Sequence, residues 1–383
     1  MTPSPLSRRH FLARGTAAVL GLAAADRLAA DAPEKVPDAL APRNHVTEAA
    51  QRCIDQGLEY LAKTQHDDGS FGERHYRGNV AITSLAGLAL MAGGHQPGRG
   101  AHARVVRKAL DYVLDQEDRN RPGFLNHPSP ATHGPMYGHG FGTLFLAEVH
   151  GMVHEKKARG ELHDKLKRAV DLICRSQNKE GGWRYQPEPK DADLSVTVCQ
   201  IMALRAAHNV GLSIPAEVWQ KCVEYVKACQ DSVSGGFRYL KQGGPPGFAR
   251  TAAGIAALNS AGVYLQGGAT DDPKKKEEQE ENRQVIEKGL KYLMQFKPNA
   301  NAGRRDPRDM HYFYGHYYAV QAVWLAGEPR WSEWYPAIRD ELVNQAKNRG
   351  DGSWSDQIST HYATAMALLI LQIPNNYLSI FQK

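Results

Sequence analysis

Few cysteines, little excess charge and no long apolar run narrow what this 383-residue chain can be. The five cysteines, Cys53, Cys174, Cys199, Cys222 and Cys229, are odd in number and include no CxxC pair, which excludes zinc-ribbon and thioredoxin motifs. Single cysteines packed in helices are the expectation. Cys222 and Cys229 lie seven apart, and two helical turns would hold their Cα atoms about 10 Å apart, too far for a disulfide with each other.

Charge of one sign is also scarce. The formal net charge is +6, and Arg8, Arg9, Arg14 and Arg27 against Asp26 supply +3 of it within the first thirty residues, leaving +3 for the rest. No nucleic-acid face is implied. The run Lys274–Glu281 mixes both signs at helical spacing and reads as a solvated lead-in to a helix.

The most apolar N-terminal run, Thr16–Ala25, has ten residues, where spanning a bilayer takes about 20. It follows SerArgArgHisPheLeuAla at Ser7–Ala13, the pattern of a twin-arginine export signal. Residues 1–30 are therefore expected to be a signal read by export machinery and 31–50 a linker. The destination would be periplasmic or extracellular.

What is present in quantity is repetition. Gln65, Gln116, Gln177, Gln230, Gln295 and Gln345 recur at spacings of 51, 61, 53, 65 and 50 residues. Five are followed by a glycine and an aromatic: Gly69 and Phe71, Gly123 and Phe124, Gly182 and Trp183, Gly236 and Phe237, Gly352 and Trp354. The fifth copy, after Gln295, is degenerate. Before each glutamine, apolar residues fall three and four apart, as at Leu58 and Leu61, which predicts a helix. After each aromatic comes a helix rich in small residues, as at Val80–Leu90, suited to close packing on several sides. Helix pairs of this kind bury their apolar faces only by stacking, and six can close into a ring. The expectation is an all-α fold over residues 51–383, an α/α toroid of about six hairpins with an inner and an outer ring.

The alternation of Gln, Gly and Trp or Phe resembles the repeats of the squalene-hopene cyclase and protein prenyltransferase superfamily, from about Gln51 to Lys383. Met136–Met152, GlyGlyTrpArgTyr at Gly181–Tyr185 and Thr360–Leu371 look like a secreted bacterial branch of unsettled activity. The resemblance implies a toroid with a central cavity. In the cyclases a carboxylic acid of a DxDDTA motif protonates an alkene, with aromatic faces stabilising the cation. The matching segment is AspAlaAspLeuSerValThr, Asp191–Thr197, where Ser195 stands at the acid position and Val196 beside it. A serine hydroxyl cannot do that work. Asp193 could take the role after a two-residue slip, or Asp193 or Ser195 could simply cap the helix. The zinc site of the prenyltransferases needs an Asp and a Cys two apart, and no DxC occurs here.

The remaining candidates cluster at the starts of the inner helices: Asn79, Thr83, His133, Tyr137, His139, Asp191, Asp193, Ser195, Arg250, His311, Tyr312, Tyr314, His316, His361 and Tyr362, with Trp183 nearby. Each histidine has a structural alternative as a hydrogen-bonded core residue. No HxH or HExxH spacing supports a metal, so neither metal nor cofactor is expected. The leading expectation is a cavity that binds an isoprenoid-like or otherwise extended ligand without the cyclase acid, with a membrane surface as a further partner. Its rivals are a divergent terpene cyclase using Asp193, with Tyr137, Tyr314 and Trp183 as cation stabilisers; a polysaccharide lyase working through Arg250; and a protein-interaction scaffold with a filled core.

Overall fold

The computed structural model describes residues 45–128, 134–263, 271–298 and 311–382. The signal read in residues 1–30 and the candidate His133 lie outside the described residues. Among these, twelve α-helices and no strand occur, in strict hairpin order: α1 Glu48–Thr64, α2 Val80–Ala92, α3 Ala103–Asp115, α4 Pro135–Val149, α5 Lys156–Ser176, α6 Leu194–Asn209, α7 Ala216–Ala228, α8 Phe248–Ser260, α9 Pro273–Leu293, α10 Tyr312–Ala326, α11 Arg330–Arg349 and α12 Thr360–Gln372. α1 begins inside the segment expected to be a linker, and His45 already packs against Trp331 and Tyr335 of α11.

The even-numbered helices form the inner ring. Each packs on the next, and α12 packs on α2, so the ring is closed. Helices buried on every side must be apolar on every side: all of α2 except Ala81 is buried, and all of α12 except Thr360. Small residues set the spacing. A Cβ on Gly140 of α4 would lie 3.0 Å from Cys199 Cβ of α6, and one on Gly315 of α10 would lie 2.5 Å from Phe248 of α8. The outer, odd-numbered helices are amphipathic and pack on the inner ring with one face.

The repeated glutamine has a structural task. Gln65 Nε2 donates to Gly69 O in its own loop and to Val105 O at the start of the next outer helix, at 3.0 and 2.9 Å. Gln177 does the same to Gly181 O and Val218 O, and Gln230 to Gly235 O and Val285 O. One side chain thus ties a hairpin to its neighbour. Gln116 and Gln345 make neither pair of bonds; they donate to Tyr112 O, and to the Tyr312 hydroxyl and Glu341.

The loop glycine is fixed by the same junction. Gly69, Gly123, Gly181, Gly235 and Gly352 all have positive φ, and a Cβ on each would lie within 2.8 Å of a carbonyl of the neighbouring outer helix. In the third and fourth repeats the turn glycine is therefore Gly181 and Gly235, one residue before the Gly182 and Gly236 expected from sequence. Two residues after the turn glycine, the backbone N–H of Phe71, Trp183, Phe237 and Trp354 donates to Thr83, Thr197, Thr251 and Thr364 on the inner helix. In the second repeat that place belongs to Leu125, not Phe124, and its acceptor is His139.

Candidate functional site

The six inner helices all begin at one end, and their first two turns enclose a cavity of about 920 Å³. The residues of these turns that are not fully buried are mostly those facing it: Ala81 of α2, Tyr137 and Gly138 of α4, Ser195 of α6, Ala249 and Arg250 of α8, Tyr314 of α10. Deeper lie Leu85, Phe141 and Met366, six or seven residues into α2, α4 and α12. Loop residues Tyr76, Tyr185, Tyr239, Pro245, Pro246, Phe296 and Ile358, with Tyr292 of α9, complete much of the wall. Among the described lining residues there is no Asp or Glu, one Arg and one His, His311 at the rim.

At its far end the ring is covered by the chain terminus. Glu148, near the end of α4, accepts from the N–H and hydroxyl of Ser379 and from the N–H of Ile380, and Trp324 of α10 donates to Phe381 O. Burial pushes the Glu148 carboxyl up, against those three bonds.

Of the residues expected at the site, Tyr137, Ser195, Arg250 and Tyr314 line the cavity, with Asn79, His311 and Tyr362. Tyr314 donates from its hydroxyl to Ser195 O at 3.3 Å, which spans α10 and α6. Burial raises the phenols of Tyr137 and Tyr314 well above the ordinary tyrosine range. Neither is suited to act as a base near neutral pH.

The others are turned away. Asp193 is the N-cap of α6: Oδ1 accepts from Val196 N–H at 2.9 Å, and Oδ2 lies 3.2 Å from Arg184 Nη1. Its side chain is 0% exposed and does not line the cavity. Burial raises its pKa to about 6, opposed by the cap bond and by Arg184. Asp191 is exposed and pairs with Arg184 Nε at 3.3 Å. Trp183 is fully buried and donates to Ile173 O, a tie from loop to outer helix that Trp354 repeats with Leu342 O. Tyr312 donates to Glu341 of α11.

His139, His316 and His361 belong to the packing. His139 receives the Leu125 N–H at Nδ1, so its Nε2 carries the proton toward Ala169 O, and burial holds its pKa down to about 3. His361 receives the Gly72 N–H at Nδ1 and faces Thr64 Oγ1 from Nε2. His316 is buried against Phe248 and Tyr312, with its pKa likewise lowered to about 3. A helix turns about 100° per residue, and these side chains occupy the outward-facing positions. Among the described residues, no three His, Cys, Asp or Glu side chains gather where a metal could bind, and no helix is long and apolar enough to cross a membrane.

Sequence reasoning missed Tyr185 and Tyr239. They close the matching segments GlyGlyTrpArgTyr and GlyGlyPheArgTyr, and that match was the available signal. Their hydroxyls meet at 2.6 Å on the cavity wall. Arg184 lies over both rings, with its guanidinium carbon 4.6 and 5.5 Å from their centroids, and joins the Tyr239 hydroxyl to Asp193.

No protein-family model matches this chain, and no curated relative matches it. Solved structures do. A type II terpene cyclase from Scytonema superposes with a TM-score of 0.56 at 14% identity, over 86% of this chain and 99% of its own. An inactive variant of an α-1,6-mannanase from Salegentibacter, in complex with α-1,6-mannotriose, gives 0.57 at 9% identity over 85% and 99%. A cellobiose 2-epimerase from Bacillus thermoamylovorans gives 0.53 at 11% over 85% and 99%. At these identities the likeness speaks for architecture alone. Together with the ring closed by α12 on α2, it establishes the fold as an α/α toroid.

Proposed function

We propose that this toroid is an exported binding protein that takes an isoprenoid-like or otherwise extended apolar molecule into its central cavity, and that it lacks the acid of a class II cyclase. The observation that carries the reading is the wall itself: about 920 Å³ of space faced by aromatic and aliphatic side chains, with no carboxylate among the described lining residues. Ligand cavities of this kind commonly span about 300–1,000 Å³ and are mostly apolar with a few placed polar groups.

The rivals fare less well on the same wall. Protonating an alkene needs a strong acid within reach of the substrate, and Asp193 is capped, paired with Arg184 and set behind the wall. Cleaving a glycosidic bond generally takes two carboxylates flanking it. A lyase would pair Arg250 with a Tyr or His base; burial shifts the phenols of Tyr137 and Tyr314 the wrong way, which leaves it only His311 at the rim. A scaffold has no use for an open centre.

Mass spectrometry of small molecules retained by the natively exported protein tests this reading. A long, largely apolar compound is expected; retained oligosaccharide, or nothing at any stage of purification, would count against it. Export rests on Ser7–Ala13. Replacing Arg8 and Arg9 together by Lys is expected to hold the chain in the cytoplasm, and undiminished export would exclude the twin-arginine route. A membrane surface is the natural source of such a ligand, a reading supported by Phe296, partly exposed among the residues that line the cavity.

A further inference from the structure

The geometry points to an acidic end on the ligand, a carboxylate or phosphate held by Arg250 with the apolar body running inward; this rests on reading the cavity as a ligand site. Arg250 is the one Lys or Arg among the described lining residues, and no Asp or Glu faces it across the cavity. It forms no hydrogen bond or ion pair with any described residue, although it is half-buried. A guanidinium partly withdrawn from water usually has an anionic partner. Here the described residues supply none, and the open side is the cavity.

The charge sits close to the backbone just ahead of α8. The guanidinium lies against Gly247: a Cβ there would come within 2.5 Å of Nη2 and 2.9 Å of Nε. Gly247 has extended backbone that any residue adopts, with φ −159°, and a Cβ there would meet only the far end of the Arg250 side chain, which would have to move aside. A guanidinium presents its donors as a planar fork, the shape that takes the two oxygens of a carboxylate or phosphate.

Depth sets the rest. Arg250 is the third residue of α8, while Leu85, Phe141 and Met366 are the sixth or seventh of their helices. At about 1.5 Å per residue these apolar residues start about 4.5–6 Å further along their helices than Arg250 does along α8. Among the described residues the cavity is thus graded from a cationic rim to an apolar base, which fits an amphiphile with one acidic end.

Titrating the full-length protein with farnesol, farnesoic acid and farnesyl phosphate tests this directly. At least one of the two acids is expected to bind tenfold or more tighter than the alcohol, and Arg250→Gln to bring that ratio close to one. The acid whose affinity falls further identifies the head group. Gly247→Ala, which crowds the guanidinium, is expected to reduce the same ratio, and a thermal melt of both variants confirms that they fold. Equal binding of acid and alcohol to the wild type, or a preference that survives in both variants, would overturn the assignment while leaving the cavity reading in place. Failure of all three probes to bind would remove the cavity reading itself.

Discussion

Tyr185 and Tyr239, the last residues of matching segments in successive repeats, meet hydroxyl to hydroxyl at 2.6 Å on the cavity wall, and Arg184 links them to the buried Asp193. Repetition in the sequence has here become a contact between repeats. Tyr239→Phe removes that link while keeping the ring. A loss of about 1 kcal/mol in chemical denaturation is expected; an unchanged midpoint would mean the hydroxyl pair contributes nothing to holding the third and fourth repeats together.

Asp193 separates the structural from the catalytic reading. Its carboxylate caps α6 and pairs with Arg184. Asn at this position keeps the cap acceptor and loses the charge, so Asp193→Asn is expected to cost about 1 kcal/mol and Asp193→Ala about 2 or more. Binding of an isoprenoid probe should survive in Asp193→Asn. Loss of a measurable cyclising activity in that variant, with stability intact, would return the residue to a catalytic role.

The glutamines are predicted to be unequal. Gln177→Ala removes two hydrogen bonds that join one hairpin to the next, at a cost of about 1–3 kcal/mol in thermal or denaturant unfolding. Gln116 makes no such tie, its Nε2 returning to Tyr112 O of its own helix, and Gln116→Ala should cost less. Equal losses would mean the two repeats are not distinguished by these bonds.

Acid should destabilise the toroid through its buried imidazoles. His139 and His316 are held down to about 3 by burial, whereas an unfolded imidazole titrates near 6.5. The unfolded chain therefore takes up protons first, and stability, full above pH 6.5, falls as the pH drops from there toward 3, by up to about 1.4 kcal/mol per unit for each group. His139→Thr installs the acceptor that four other repeats use. Denaturation series between pH 7 and 4 should show a shallower slope in that variant; an identical slope would mean His139 titrates normally in the folded state.

Much of the fold was legible because its determinants are local and repeated. Gln65, Gln177 and Gln230 sit where a side chain must reach both its own loop and the next outer helix, and Gly69 and Gly181 where a Cβ would strike a neighbouring carbonyl. The site was less legible for a physical reason. An inner helix is apolar all round, so periodicity cannot tell the cavity-facing side from the outward one. Tyr314 and His316 are two residues apart on α10, yet one lines the cavity and the other packs beneath Phe248 and Trp334. His139 stood out as a candidate ligand because the threonines that take its place elsewhere are inconspicuous. Tyr239, distant in sequence from the inner-helix starts' obvious aromatics, reaches the wall through a loop.

The central claim is that the hollow at the inner-helix starts is a ligand site, and Ala81 offers the most direct test. It is the one residue of α2 that is not buried, and it faces the cavity. Ala81→Trp projects an indole into the space without displacing a packed side chain. Calorimetric titration with farnesol, at several temperatures, should give one site with a negative heat-capacity change in the wild type and no binding in Ala81→Trp, at an unchanged melting temperature. Undiminished binding to the filled variant would place the ligand elsewhere and contradict the account.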